Sequence, residues 1–157
     1  TVLGGDVANV TVRHEGCRDS MSGMPHPRTV MIDWRGRRLR GCGGDPLRLL
    51  RGGPWRLADL PGHDLVEDAP ATVHFLADGR LVGNASCNRY TGRYALTGEG
   101  LGLEPGASTR MACEPAVMAQ EERLLDRLQR VRRFRIGAAG WLELLGPRDV
   151  LVRLRQP

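Results

Sequence analysis

Apolar residues along this chain recur at two periods, first every second position and later every third or fourth. Residues 8–12 and 29–32 have the β-branched density of strands, and Arg35-Gly36-Arg37 reads as a turn leading into residues 38–41. Glycine and proline then gather from Gly43-Gly44-Asp45-Pro46 to Gly52-Gly53-Pro54 around the short Leu47-Arg48-Leu49-Leu50 run, which marks a domain boundary. Beyond it, residues 55–60, 71–76, 81–85, 89–96 and 101–103 read as short strands. Asp78-Gly79, between Val73-His74-Phe75 and Leu81-Val82, predicts a type I′ hairpin, because that turn needs positive φ and Asp-Gly supplies it cheaply. From 114 to 131 the period changes, with Val117, Met118, Leu124, Leu125, Leu128 and Val131 on one helical face and Glu121 inside that stripe. Pro115 suits the first helical turn, Glu114 the positive end of the helix dipole, and Arg127, Arg130 and Arg132 the negative end. Strand composition returns at 134–136, 141–145 and 150–154.

This order predicts an α+β, mostly β fold with a curved antiparallel sheet and one helix, since connections this short cannot make parallel crossovers. Two domains are expected, a small β-type module at 1–50 and a complete domain at 51–157. About 50 residues rarely bury enough surface to stand alone. The first module is therefore expected to dock on the second or to be the remainder of a larger module cut at its N-terminus. The chain begins at Thr1 rather than Met, which suggests a mature or trimmed fragment with any signal or lipid anchor upstream.

Aromatic residues make up only 4% of the chain, so the core must rest on Leu, Val and Ala. All 23 basic residues are Arg, a bias more in keeping with a G+C-rich genome than with selection for guanidinium chemistry. A formal charge of +5 favours anionic partners, but 18 acidic residues are interspersed and no stacking aromatics alternate with the arginines, so nucleic acid is not indicated. The clusters at Arg35, Arg37, Arg38 and Arg40 and at 123–135 read first as a solvated turn and helix face, and more sharply as an anionic contact surface for envelope lipid or polysaccharide. No apolar run approaches the roughly 20 residues that span a bilayer.

The four cysteines fall one pair to each half, Cys17 with Cys42 and Cys87 with Cys113, the pattern of a disulfide framework from an oxidising compartment. Three connectivities are open, and pairing within each half is preferred. Each such bridge would remove about 3–4 kcal/mol of loop entropy from the unfolded chain. Four buried thiols are the alternative, and zinc is less favoured because no C-x-x-C or C-x-x-H has a matching second pair.

Catalytic patterns are missing from the spacing. There is no G-x-S-x-G elbow, phosphate loop or dinucleotide fingerprint, so no cofactor is expected. His14, His26, His63 and His74 are dispersed, and Glu121 and Glu122 point to different helical faces.

Trp55-Arg56-Leu57, Phe75 with Asp78-Gly79-Arg80, the run 83–94, the run 108–113, Glu121 and Leu142-Glu143-Leu144 together carry a resemblance. The segment from Trp55 onward resembles the META domain, the HslJ-type family of bacterial heat-shock and envelope proteins. Cys17-Arg18-Asp19-Ser20-Met21-Ser22 and Gly41-Cys42-Gly43 resemble an uncharacterised envelope-lipoprotein module found beside META domains. The resemblance implies an incomplete antiparallel barrel crossed by one helix, a periplasmic, outer-membrane-associated or secreted location, and no established enzyme activity. Its motif residues are Gly83, Asn88, Tyr90, Gly92, Arg110 and Glu121. Gly83 and Gly92 suit close strand approach, Asn88 a turn or left-handed position, and Tyr90 with Tyr94 one strand face. Arg110 is expected to pair with Glu121, with an anionic ligand as the alternative. The function expected is a noncatalytic binding or chaperone-like role in envelope stress, acting as a monomer on an envelope protein or anionic component. The alternatives are an inhibitor of an envelope-directed hydrolase such as lysozyme, and an enzyme with an unrecognised site.

Overall fold

The computed structural model describes residues 7–157; residues 1–6 of the predicted first module lie outside it. The described chain divides after Leu49 into two compact units. The first holds a three-stranded antiparallel sheet of β1 (Asn9–Arg13), β4 (Arg28–Trp34) and β5 (Arg37–Gly43), in the order β1-β4-β5. Two short strands, β2 (Cys17–Arg18) and β3 (Pro25–His26), pair with each other. Arg35 and Gly36, joining β4 to β5, both have positive φ (49° and 75°), which is the type I′ requirement. A disulfide joins Cys17 to Cys42.

The short helix α1 (Leu47–Leu50) leads into the second unit. There the strands are β6 (Trp55–Asp59), β7 (Thr72–Phe75), β8 (Arg80–Asn84), β9 (Arg89–Thr97), β10 (Gly100–Ser108), β11 (Arg133–Ile136), β12 (Leu142–Leu145) and β13 (Val150–Arg155). They form one antiparallel sheet in the order β10-β9-β8-β7-β6-β13-β12-β11. The sheet curls until Leu101 N–H, on β10, donates to the carbonyl of Arg132, just before β11, at 2.8 Å, but no strand ladder joins β10 to β11, so it does not close into a barrel. Helix α2 (Pro115–Gln129) packs on β10 and β13. Its sequence favours it, with Pro115 in the first turn and an interior of Ala, Gln, Glu, Arg and Leu free of glycine. Leu124, Leu128 and Val131 are buried with Phe75, Leu81, Leu101, Leu142, Leu144, Val152 and Leu154.

Two local expectations are corrected. Between β7 and β8 only Gly79 has positive φ, at 85°; Gly79 N–H donates to the Leu76 carbonyl and Leu76 N–H to the Arg80 carbonyl. That is a three-residue loop with a left-handed third residue, not a two-residue type I′ turn. The helical stripe is also displaced: Met118 is exposed and Gln120 is buried, with Glu121 remaining on the buried side. These two polar residues go inward because partners wait for them there.

Candidate functional site

Strand β9 alternates so that Tyr90 and Tyr94 point inward. Tyr90 donates its hydroxyl to the Thr72 carbonyl at 3.0 Å, and Tyr94 to that of Leu76 at 2.6 Å. Burial pushes the Tyr90 phenol well above its ordinary range. Gly83 and Gly92 make the strands' close approach possible. A β-carbon on Gly83 would lie 2.0 Å from the Thr72 carbonyl oxygen, and one on Gly92 2.1 Å from that of Glu104.

Between β8 and β9 the chain turns through residues 85–88. Ser86, at φ 98°, takes the left-handed position expected of Asn88. Ser86 N–H donates to Asn84 Oδ1 at 3.0 Å, and Gln120 Nε2 donates to Ser86 Oγ at 2.8 Å and to the Ala69 carbonyl at 2.9 Å. Gln120 Oε1 accepts the Val66 N–H at 2.8 Å. Gln120 therefore ties two stretches of chain, the loop at residues 66–69 and the turn at Ser86, to α2.

Beside it, Asn88 is 2% exposed and Glu121 7%. Glu121 Oε2 accepts the backbone N–H groups of Cys87 (3.2 Å) and Asn88 (2.6 Å), and Oε1 accepts Asn88 Nδ2 (2.9 Å). Asn88 Oδ1 accepts Thr109 Oγ1 (2.8 Å) and Met111 N–H (2.7 Å), while Nδ2 also donates to the Met111 carbonyl (3.2 Å). All four hydrogen-bonding capacities of the amide are thus used on protein groups. Cys87 is buried here and bridged to exposed Cys113, so the segment entering α2 is held twice, by the Asn88 amide and by the disulfide.

The expected Arg110–Glu121 pair is not formed. Arg110 is exposed, and among the described residues no ion pair joins it to Glu121. The buried carboxyl takes N–H donors instead, because residues 87 and 88 present two adjacent backbone amides to it. Gly83, Asn88, Tyr90, Gly92 and Glu121 all serve packing or internal hydrogen bonds, and Arg110 stands apart from them.

A second polar arrangement was missed in the sequence. Strand register places Arg135, Glu143, Arg153 and Asp59 in one row across β11, β12, β13 and β6. Glu143 accepts from Arg135 and from Arg153 Nε (3.0 Å), and Arg153 reaches Asp59 at 2.5 Å. Only strand pairing reveals this alternation of charge, though Glu143 between Leu142 and Leu144 was the available hint. Burial pushes the Glu143 carboxyl upward, but Arg135 and Arg153 outweigh it and hold the group below its ordinary range. A depressed folded-state value means stability present at neutral pH and lost as the pH falls through that value. Glu143→Gln should cost about 1–2 kcal/mol at neutral pH, modest because Arg135 and Arg153 reach solvent, and should flatten the stability profile below about pH 4.5. Urea unfolding at several pH values measures both effects.

Along α2 runs an open groove of about 690 Å³, lined by Met118, Glu121, Glu122, Leu125 and Gln129 among others. It gathers no histidine, serine or cysteine.

Residues 48–157 match the META domain family. A comparison with curated proteins gives no match. Among solved structures, the NMR structure of a protein from Burkholderia xenovorans is similar with a TM-score of 0.58 at 22% identity, covering 74% of this chain and 93% of that one. At that identity the likeness concerns the fold alone. The family match spans more than half of the chain and includes β6 to β13, α2 and the Asn88–Glu121 cluster, so the chain belongs to the META domain family.

Proposed function

We propose that this protein is a noncatalytic module of the cell envelope that binds other proteins in a chaperone-like way. The observation that carries this reading is the use of the family-motif side chains: Asn88 and Glu121 spend their hydrogen-bonding capacity internally, which suits a scaffold rather than a reaction centre. The envelope association implied by the META resemblance supports the location, as do two disulfides, which persist in oxidising compartments. Arg110, exposed at the entry to α2, is a contact residue for an anionic partner in this reading.

Light scattering of a thermally unfolding test protein checks the proposal. Added at equal molarity, the protein should slow aggregation, and Arg110→Ala should keep the parent's melting temperature while weakening that effect. Full aggregation of the test protein together with a block of lysozyme activity would favour the inhibitor reading instead.

A further inference from the structure

An open sheet edge presents unpaired N–H and C=O groups that take up another strand unless something blocks it. The two larger sheets end in β10 and β11 and in β1 and β5. In the second unit, Leu101 N–H points outward from β10 to the Arg132 carbonyl, so alternation along the regular register sends position 105 outward as well, where Pro105 has no N–H to offer. Strand β11 has four residues, too few for a long ladder. In the first unit, β5 holds Arg37, Arg38 and Arg40, and pairing it with its own copy about its midpoint would set Arg40 against Arg40.

Strand β1 has none of these guards. Its residues Asn9, Val10, Thr11, Val12 and Arg13 are all exposed and include no proline and no acidic residue. The two-residue turn at Arg35 and Gly36 makes Trp34 and Arg37 a hydrogen-bonded pair. In an antiparallel sheet a residue's N–H and C=O point to the same side and successive residues alternate. Val30, Ile32 and Trp34 therefore bond to β5, and Thr29, Met31 and Asp33 bond to β1. Their partners Arg13, Thr11 and Asn9 are used on β4, so the N–H and C=O groups of Val10 and Val12 face away from the sheet.

We propose, in place of the monomer expected from the sequence, that β1 is a pairing edge for a second copy of this chain, joined antiparallel about a two-fold axis at Thr11. In that register Val10 meets Val12 of the second copy and exchanges both backbone hydrogen bonds with it, as the outward groups require. These β-branched residues oppose each other on the face that by register already holds Ile32 and Leu39. On the other face Asn9 meets Arg13 and Thr11 meets Thr11, so no like charges are opposed. The sequence of β1 is thus complementary to itself, whereas β5 is not. A ladder this short buries less than the roughly 1,200 Å² of a standard interface, so the dimer is a weak one. The inference uses neither the envelope location nor client binding, and it stands or falls apart from them.

Sedimentation equilibrium of the full chain from about 10 μM to about 1 mM tests this, and should show a reversible monomer–dimer equilibrium. Thr11→Glu and Thr11→Arg each set like charges against each other at the axis and should weaken association about tenfold or more, while an equimolar mixture of the two should restore it. That recovery excludes a folding defect as the cause of the loss. Val10→Pro removes an outward N–H, which an edge strand tolerates, and should abolish the dimer while keeping the parent's circular dichroism. In a glutathione buffer Thr11→Cys should cross-link two copies, and Asn9→Cys, which meets Arg13, should not. A parent that stays monomeric over the whole range, a mixture that associates no better than either charge variant alone, or equal cross-linking at positions 9 and 11 overturns the proposal. So does a monomer that takes an extended client peptide at this edge instead.

Discussion

Glu121→Ala should lower the stability of the second unit by about 3–5 kcal/mol, among the largest effects of any single substitution in this chain. The variant leaves the N–H groups of Cys87 and Asn88 without their acceptor, together with one N–H of the Asn88 amide. Each unsatisfied buried donor costs about 1–3 kcal/mol, and water entering the space recovers part of that. The expected loss in melting temperature is on the order of 10 °C or more for a unit of this size. Thermal denaturation followed by near-ultraviolet circular dichroism measures it. A variant melting within a degree or two of the parent would mean that the carboxyl contributes little.

The second large effect concerns the first unit. Cys17→Ser/Cys42→Ser should unfold it while the second unit melts unchanged. Closing the 25-residue separation between these cysteines is worth about 3.5 kcal/mol in loop entropy. A sheet whose apolar side chains all remain at least partly exposed has little hydrophobic burial to offset that loss. Amide hydrogen exchange resolves the two units. Protection should vanish in β1, β4 and β5 of the variant and persist in β7 to β9; retained protection in β4 would show that the sheet holds itself together.

How much of this was legible beforehand depended on the range of the interaction. Strand alternation in β4 and β9 and the 3.6-residue period of α2 are local, and they placed the elements and the α+β class. Glu121 inside an apolar stripe signalled a buried partner, but intuition for charge pairing pointed to Arg110. The donors are backbone amides of Cys87 and Asn88, which carry no side-chain signature. Gln120 was missed for the same reason, since two of its three partners are the Ala69 carbonyl and the Val66 N–H. The Asp78-Gly79 turn was misassigned because Asp-Gly serves both two- and three-residue hairpins, and the flanking pairing of Leu76 with Arg80 decides between them. The row from Arg135 to Asp59 depends on register across four strands, which no short motif contains.

The central claim is that Asn88 and Glu121 form one internal hydrogen-bonded unit, and a double-mutant cycle tests it directly. Asn88→Asp places an oxygen where the amide donated to Glu121 Oε1 and to the Met111 carbonyl, so two carboxyl groups oppose each other. Glu121→Gln can keep accepting the two backbone N–H groups through its oxygen and can turn its own N–H toward position 88. Measured by denaturant unfolding at neutral pH, Asn88→Asp alone should be strongly destabilising. The double variant should recover about 1–3 kcal/mol relative to the sum of the single losses. Additivity within about 0.5 kcal/mol would contradict the account.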